Sequence, residues 1–212
     1  MLRGVPTATM SRHPPAGDAR QRRSRRIGDT IEPVSAVLPT FRYHADPIAS
    51  RSVLKEAVTC QCCGQAREHR YDGPIYSKAR VTDLCPWCIA DGSAAAHFDA
   101  QFTTTDLIGR EPIPREFVDE VLRRTPGFSG WQQDQWMFHC GDAAAYLGRV
   151  GYEQLVGHDD AIEMLSAPMR EIGWTDAQIT AYVGWLHVDG DATAYLFRCL
   201  HCSTELAYAD ES

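Results

Sequence analysis

Cysteine is the residue type in this chain whose spacing is most indicative of chemistry. The eight cysteines fall in four places, and three of those places contain two cysteines separated by two residues. This spacing lets a tight turn bring both sulfurs to about 2.3 Å from one zinc ion, and a following glycine tolerates the positive φ that closes such a turn. Residues 60–64 have the sequence C-Q-C-C-G, and residues 85–88 have the sequence C-P-W-C. The predicted ligands of a first, structural zinc ion are Cys60, Cys63, Cys85 and Cys88. Cys62 is left out because four ligands are already present.

A second, less complete set of ligands comes from the last third of the chain. Residues 199–202 have the sequence C-L-H-C and lie between two apolar and aromatic segments, which predicts a strand on each side of a knuckle. The predicted ligands of a second zinc ion are Cys140, Cys199, Cys202 and, as the preferred fourth ligand, His139. His201 is the alternative fourth ligand. Adjacent residues do not readily point at one ion from a strand, and the competing interpretation makes Cys140 an ordinary buried thiol.

A thiol-disulfide oxidoreductase is one enzymatic alternative, and it would use Cys85 and Cys88. A helix N-terminus stabilises a thiolate, so a C-x-x-C pair at the start of a helix is typical of redox proteins. A thioredoxin-like fold would place a buried apolar strand just before that pair, whereas residues 78–84 are mostly polar. The upstream cysteine pair also supplies a ready metal partner, which favours zinc.

A zinc-dependent hydrolase or deaminase at the second site is the other enzymatic alternative, since a catalytic zinc keeps three protein ligands and an open position. Asp142 or Glu205 would then act as the nearby base. The H-x-E half of the deaminase signature is missing, because residues 44–46 (H-A-D) carry the wrong acid. The chain also lacks a P-loop, a dinucleotide fingerprint and a nucleophile elbow. The sequence therefore favours a protein without enzymatic activity.

Composition and charge restrict the class of protein further. Hydrophobic residues make up 44% of the 212 residues, and no apolar run is long enough to span a membrane. Residues 1–30 contain seven arginines and two aspartates, which leaves 14 of the 21 basic and 26 of the 28 acidic side chains for the rest, a net charge of −12. The Arg- and Pro-rich residues 1–36 are predicted to be a disordered tail. This tail is the only part expected to contact nucleic acid, and then weakly. It lacks the features of an export signal, so we expect a cytoplasmic protein whose cysteines hold metal.

The remaining sequence predicts an α+β protein in which two small zinc-knuckle or treble-clef-like lobes are joined by a helical segment. Within a domain at 37–212, the first lobe is predicted at about 38–105, the helical middle at 112–186 and a knuckle hairpin at 192–209. Apolar periodicity predicts helices at 113–124, 158–172 and 175–186, the last one starting with a capping box. Asp142 is expected to cap a further short helix that ends at Gly148.

One loop concentrates aromatic side chains around glycines. Residues 127–136 contain Phe128, Trp131 and Trp136 together with amide side chains, a composition that suits a groove for an unidentified protein or small-molecule partner. Trp87 is a candidate neighbour of that groove. The alternative, which we favour, is a loop whose aromatic side chains cap the zinc lobes.

Several longer strings of residues resemble the bacterial CbrC family. They occupy residues 38–47, 60–65, 73–77, 84–93, 125–133 and 195–199. The resemblance spans roughly residues 38–210 and implies a largely uncharacterised protein without an assigned reaction. In enteric bacteria this family is associated with tolerance to an E-type colicin under envelope-stress two-component control. Two departures are the arginine-rich extension before residue 38 and Ser203, which stands where a knuckle glycine is expected. The sequence thus predicts a cytoplasmic zinc-binding interaction or stress-response protein.

Overall fold

The computed structural model describes residues 37–105 and 112–212. The tail predicted to be disordered, residues 1–36, lies outside this part of the chain. The elements in chain order are β1 (Val53–Leu54), β2 (Val58–Thr59), β3 (Ala66–Arg67), β4 (Arg70–Tyr71), α1 (Pro86–Ala90), α2 (Ser93–Phe98), α3 (Arg115–Arg124), β5 (Phe138–His139), β6 (Asp142–Ala143), β7 (Ala145–Val150), α4 (Tyr152–Leu155), α5 (Asp159–Glu171), α6 (Asp176–Trp185), β8 (Ala192–Arg198) and β9 (Glu205–Glu211). Helices and strands are mixed along the chain, which confirms the α+β class.

Residues 37–105 contain only short elements. Strand β1 pairs with β4 and strand β2 with β3, both antiparallel and both over two residues. Between the two cysteine pairs, the sequence Y-D-G-P-I-Y at residues 71–76 predicts short extended segments around a turn, which would be the hairpin of a treble-clef-like lobe. Strand β4 pairs back with β1 instead, and Tyr76 forms an isolated bridge with Gln101. The Tyr71 side chain is only 1% exposed, so packing against more distant residues competes successfully with the local turn.

The helices predicted from apolar periodicity are confirmed as α3, α5 and α6. Helix α6 begins with the predicted capping box, in which the Gln178 backbone N–H donates to the Thr175 hydroxyl. The short helix predicted from Asp142 to Gly148 is wrong. This stretch forms β6 and most of β7, so the middle segment at 112–186 is not wholly helical. Gly148 has a φ of +140°, which no helix accommodates, and β7 gains a ladder with β8 that local sequence does not reveal.

Strands β7, β8 and β9 form an antiparallel sheet in that order, and α5 packs on β9. Six of the seven residues of β8 are buried, as expected for a central strand. Its ladder with β9 runs without interruption from Ala192 opposite Glu211 to Arg198 opposite Glu205. Residues 199–204 form the turn that connects β8 and β9 at one end of this ladder. This is the arrangement that the predicted knuckle hairpin requires.

Two of the three aromatic residues predicted to line a partner groove lie in the core. Phe128 and Trp136 are 1% and 2% exposed, and the Phe128 ring stacks on that of Tyr146 at a centroid distance of 4.0 Å. Trp131 is 52% exposed, and its indole N–H donates to the Gly190 carbonyl at 3.0 Å. The three side chains therefore do not form the predicted groove. Burying each large ring is worth about 2 to 3 kcal/mol, which draws the loop inward.

Gly127 provides a test of the contact between the loop at 125–128 and the first lobe. A Cβ added at Gly127 would lie 1.7 Å from the Phe102 carbonyl oxygen, and the Gly127 N–H donates to the Tyr71 hydroxyl at 3.1 Å. We expect Gly127→Ala to lower the free energy of unfolding by about 3 kcal/mol in urea denaturation. Gly184→Ala in α6 is the matched control. A Cβ there meets no atom of the described residues within 4 Å, so it should raise stability by about 0.5 to 1 kcal/mol. Equal effects of the two substitutions would contradict this packing.

His44 joins three parts of the fold and predicts a pH dependence. Its Nδ1 donates to the Pro126 carbonyl at 2.7 Å and its Nε2 accepts from the Ser50 hydroxyl at 2.7 Å. Burial lowers the pKa of His44 to about 4, against weaker raising effects of the Pro126 hydrogen bond and the Asp46 charge. In the unfolded chain His44 takes up a proton near pH 6.5, whereas in the folded chain it does so only near pH 4. The folded state therefore loses stability relative to the unfolded state as the pH falls from 6.5 toward 4. We expect His44 to account for about 2 kcal/mol of lost stability between pH 7 and pH 5.

The measurement is the difference in unfolding free energy between the wild type and His44→Gln at each pH. Contributions of other groups cancel in this difference. It should shrink as the pH falls, because the variant carries no ionisable group at this position. A difference that stays constant from pH 7 to pH 5 would show that His44 is not held neutral.

Candidate metal centres

The first cysteine cluster brings two distant pairs together. Its sulfurs belong to Cys60, Cys63, Cys85 and Cys88, and all four lie within 4.8 Å of one another. The Sγ atoms of Cys60 and Cys88 are 3.9 Å apart, and those of Cys85 and Cys88 are 3.6 Å apart. A tetrahedral zinc ion with Zn–S bonds of 2.3 Å requires sulfurs about 3.8 Å apart. The predicted residues of the first site therefore have the spacing that a single zinc ion needs.

The local sequence explains how each pair is presented. The turn between β2 and β3 is closed by the Gly64 N–H donating to the Cys60 carbonyl at 2.8 Å, and Gly64 has a φ of +69°. Cys85 is the residue before α1, and Pro86 occupies the first turn, where its missing N–H costs no hydrogen bond. Cys88 follows one helical turn later. Both pairs thus hold their sulfurs on one side of a tight backbone turn.

Hydrogen bonds and burial shift the pKa values of the thiols in this cluster in opposite directions. The contact with the Cys85 thiol, followed by several backbone N–H groups, holds the pKa of Cys60 well below its usual range. One of these donors is the Cys85 N–H, at 3.3 Å from the Cys60 sulfur. The pKa of Cys85 is raised, first by the same Cys60 contact and then by burial, and burial raises the pKa of Cys88. A divalent cation would replace the remaining thiol protons, because coordinated thiols are deprotonated.

Cys62 lies outside this cluster although it stands between two of its members. Its Sγ is 3.6 Å from the Ser93 hydroxyl oxygen, next to the turn that leads into α2. This placement agrees with leaving Cys62 out of the ligand set. It also makes Cys62 a natural control for Cys63.

The second cluster contains His139, Cys140, Cys199 and Cys202, whose ligand atoms lie within 4.8 Å of one another. The Nδ1 atom of His139 is 3.3 Å from the sulfurs of both Cys140 and Cys202. Those two sulfurs are 3.6 Å apart. These separations fit one tetrahedral ion bound by three sulfurs and one imidazole nitrogen. The structure thus brings together the four residues that the sequence predicted, including the preferred histidine.

The turn between β5 and β6 explains how two adjacent residues face one point. Cys140 and Gly141 form its two-residue loop and have φ angles of +52° and +73°. Positive φ at both central residues is what a type I′ hairpin turn requires. Cys140 therefore leaves the alternation of the strand, and its sulfur comes to the same side as the His139 ring. The sequence signal was the Cys-Gly pair, which occupies the position of the usual Asn-Gly.

The turn between β8 and β9 repeats the backbone pattern of the first knuckle. The Cys199 N–H donates to the Thr204 carbonyl at 2.9 Å, and the Ser203 N–H donates to the Cys199 carbonyl at 3.2 Å. In the first knuckle the Cys60 N–H donates to the Gln65 carbonyl at 3.0 Å. Ser203 has a φ of +64°, close to the value at Gly64. The knuckle forms with serine in the glycine position, but at a cost in backbone strain.

The second cluster differs from the first in its exposure. Cys140 and Cys202 are exposed and Cys199 is buried, whereas three of the four cysteines of the first cluster are buried. Hydrogen bonds with Thr204 lower the pKa of Cys202 to about 6, and the contact with Cys202 raises the pKa of Cys140 to about 11. An ion in the second cluster would therefore be reachable from solvent.

Buried Asp142 is a polar anchor beside the second cluster, and the exposed His201 side chain contacts it. His201 is not in the ligand group; its Nε2 lies 2.9 Å from the Asp142 carboxylate. The Arg42 guanidinium donates to the same carboxylate at 2.5 Å, and the Tyr43 hydroxyl donates to it at 2.8 Å. Asp142 is only 1% exposed. These contacts hold the residue that follows the Cys140-Gly141 turn. The sequence suggested Asp142 as a base or as a helix cap but not as this anchor, because its partners lie far away in the chain.

Ser203 offers a test of the strained knuckle. A residue other than glycine in the left-handed region costs about 1 to 2 kcal/mol, partly offset by the greater freedom of glycine in the unfolded chain. We expect Ser203→Gly to raise the free energy of unfolding by about 0.5 to 1 kcal/mol in denaturation at a fixed zinc concentration. The reciprocal Gly64→Ser should lower it by about 1 kcal/mol. A stabilising effect of Gly64→Ser, or none of Ser203→Gly, would contradict the equivalence of the two turns.

Comparison with known proteins covers nearly the whole described chain. Residues 38–211 match the family model of UPF0167, described as an uncharacterised protein family. UPF0167 proteins of Mycobacterium bovis and Mycobacterium tuberculosis are each 47% identical over 174 residues, which cover 82% of this chain and 93% of the relative. A UPF0167 protein of Pseudomonas aeruginosa is 41% identical over 167 residues, covering 78% of this chain and 92% of that protein. No solved structure matches the chain. On the family match and these identities, the chain belongs to the UPF0167 family.

Proposed function

We propose that this chain is a zinc-binding protein with two four-ligand zinc centres that stabilise the fold, and that it acts by interaction rather than by catalysis. The observation that carries the proposal is the convergence of two independent sets of four metal-ligating side chains, each within 4.8 Å. Seven of the eight ligands are cysteines. Thiolate-rich tetrahedral sets with four protein ligands are typical of structural zinc.

The geometry argues against a zinc-dependent hydrolase or deaminase at the second cluster. A catalytic zinc needs a coordination position for water, whereas His139 completes a four-ligand set here. Both candidate bases also have other partners. Asp142 is engaged by Arg42, Tyr43 and His201. Glu205 is 2.5 Å from His158 Nδ1 and 2.9 Å from Arg198. Neither carboxylate is available to accept a proton from a bound water.

The first cluster is equally unsuited to thiol-disulfide exchange. The attacking cysteine of a redox C-x-x-C pair is accessible and has a lowered pKa. Cys85 is fully buried and its pKa is raised, and Cys88 is 4% exposed. A third sulfur, that of Cys60, lies 3.9 Å from Cys88. This arrangement supports coordination by all four sulfurs rather than exchange between two.

The wider role that we propose follows the resemblance to the CbrC family: a cytoplasmic stress-response protein that works through an unidentified partner. In this proposal the first lobe is a treble-clef-like unit, since a knuckle is followed by a helix that carries the second cysteine pair. Among the described residues, none of the helices has the length and apolar character needed to cross a membrane.

Metal analysis of the purified full chain tests the zinc centres. We expect two zinc ions per chain by mass spectrometry of the metal content. Cys63→Ser should lose one of them, because it removes a ligand of the first cluster. Cys62→Ser, one residue away, should retain both. In the same way His139→Gln should lose or weaken the second ion, whereas His201→Gln should retain it, since His201 contacts Asp142 instead.

Thiol labelling distinguishes the outcomes further. Cys85 and Cys88 should resist alkylation until a strong chelator is added, because metal binding and burial both protect them. One zinc per chain, or equal loss from Cys62→Ser and Cys63→Ser, would contradict the proposed ligand sets. Two zinc ions together with a zinc-bound water detected spectroscopically at the second site would instead restore the hydrolytic alternative.

A further inference from the structure

A cavity of about 270 Å³ lies between the loop at residues 50–52 and strand β7. Its wall contains none of the metal-site side chains. The lining residues with polar groups that matter here are Ser50, Arg51, Ser52, Ser129, Tyr146 and Arg149. Two guanidinium groups and the hydroxyls of Ser52 and Ser129 give this lining hydrogen-bond donors and positive charge, whereas the Ser50 hydroxyl donates to His44. The volume is near the lower end for small-molecule pockets, which are about 300 to 1,000 Å³.

Tyr146 is the most informative residue of the wall. It is 1% exposed, and its hydroxyl has no hydrogen-bond partner among the described residues. An unpaired buried hydroxyl destabilises the folded state unless something in the cavity pairs with it. The ring is held by stacking on Phe128 at 4.0 Å and by an edge contact with His44 at 5.1 Å. The ring is therefore held beside the cavity, and the hydrogen-bonding capacity of its hydroxyl is unused.

The opposite wall is a loop whose shape is also held. The Ser50 hydroxyl donates to buried His44, and the Arg51 N–H donates to the Ile48 carbonyl at 3.0 Å. The Val53 N–H donates to the Pro47 carbonyl at 2.8 Å. Arg51 has a φ of +62°, in the left-handed region that arginine rarely adopts. The loop thus presents an arginine at a position where glycine would be less strained, which is expected if the guanidinium is used.

The charges around the cavity favour an anion. Apart from the arginine-rich first 30 residues the chain has a net charge of −12, so two arginines lining one cavity are a local exception. Asp72 also lines the cavity, and its carboxylate is 2.7 Å from the Arg70 guanidinium, which it shares with Glu56 at 3.0 Å. Arg149 has one weak partner, Asp189, at 4.0 Å. Arg51 and Arg149 therefore keep most of their hydrogen-bonding capacity for a ligand.

We propose that this cavity binds the phosphoryl group of a small metabolite. Two guanidinium groups match the double negative charge of a phosphate monoester. Hydroxyls on several sides of the cavity suit a tetrahedral anion better than a planar carboxylate. The Tyr146 hydroxyl then gains the acceptor that the protein does not supply. This site is separate from the zinc centres, so each proposal can fail without the other.

Calorimetric titration of the zinc-loaded full chain with inorganic phosphate, at constant ionic strength, tests the proposal. We expect binding in the millimolar range or tighter for phosphate alone, and markedly weaker binding of acetate. Arg51→Gly and Arg149→Gln should each weaken phosphate binding about tenfold or more. Glycine is chosen at position 51 because it relieves the positive φ and preserves the loop. Arg115→Gln on α3, where the side chain is 91% exposed, is the matched control and should bind phosphate as the wild type does.

Tyr146→Phe separates a ligand-binding role from a structural one. Removing an unpaired buried hydroxyl should raise the melting temperature of the protein without phosphate, yet weaken phosphate binding. A purely structural tyrosine would change only the melting temperature. The proposal is overturned if the wild type does not bind phosphate, if the two arginine variants bind it unchanged, or if acetate binds as tightly.

Discussion

The convergence of four ligands at each of two points is the constraint on which the rest of the molecule depends. The four strands of residues 37–105 are two residues long, and the two helices there have five and six residues. Isolated elements of this length are not stable in water. Three of the cysteines in this lobe, Cys60, Cys85 and Cys88, belong to its buried core together with a few apolar side chains. A shared metal ion would close the long loop between the two cysteine pairs and so replace the secondary structure that the lobe lacks.

The two clusters share one type of backbone turn but differ in the elements around it. Each contains a knuckle in which the residue after the second cysteine adopts a left-handed conformation, Gly64 in the first and Ser203 in the second. The partner of the first knuckle is the start of a helix, and the partner of the second is a two-residue hairpin turn at Cys140. The second cluster lies at the end of a well-paired sheet and is more exposed. We therefore expect the second lobe to depend less on its metal for folding, since the sheet supplies stability of its own.

Buried polar side chains join the first lobe to the sheet. His44 contacts Ser50 and the Pro126 carbonyl and forms a bridge with Tyr146 of β7. Asp134, which is 2% exposed, accepts hydrogen bonds from the hydroxyls of Tyr76 and Thr103. Each of these groups is paired, so its burial is tolerated, and each contact specifies one arrangement of the segments. The Tyr146 hydroxyl, by contrast, is buried without a partner among the described residues, and this contrast supports the proposed ligand in the neighbouring cavity.

Features that depend on spacing along a few residues could be predicted before the fold was known. The cysteine pairs, the helices α3, α5 and α6 and the capping box of α6 all follow from local chemistry or from a period of 3.6 residues. Features that depend on distant partners became visible only in the folded chain. Residues 145–148 form part of strand β7 rather than the predicted helix because they pair with β8. Phe128 and Trp136 are buried because they pack against apolar side chains of the sheet. His139 and Cys140 share one point only because the hairpin turn between β5 and β6 reverses the backbone. Backbone pairing and burial are set by residues that a local pattern does not contain, and for that reason they emerge only in the folded chain.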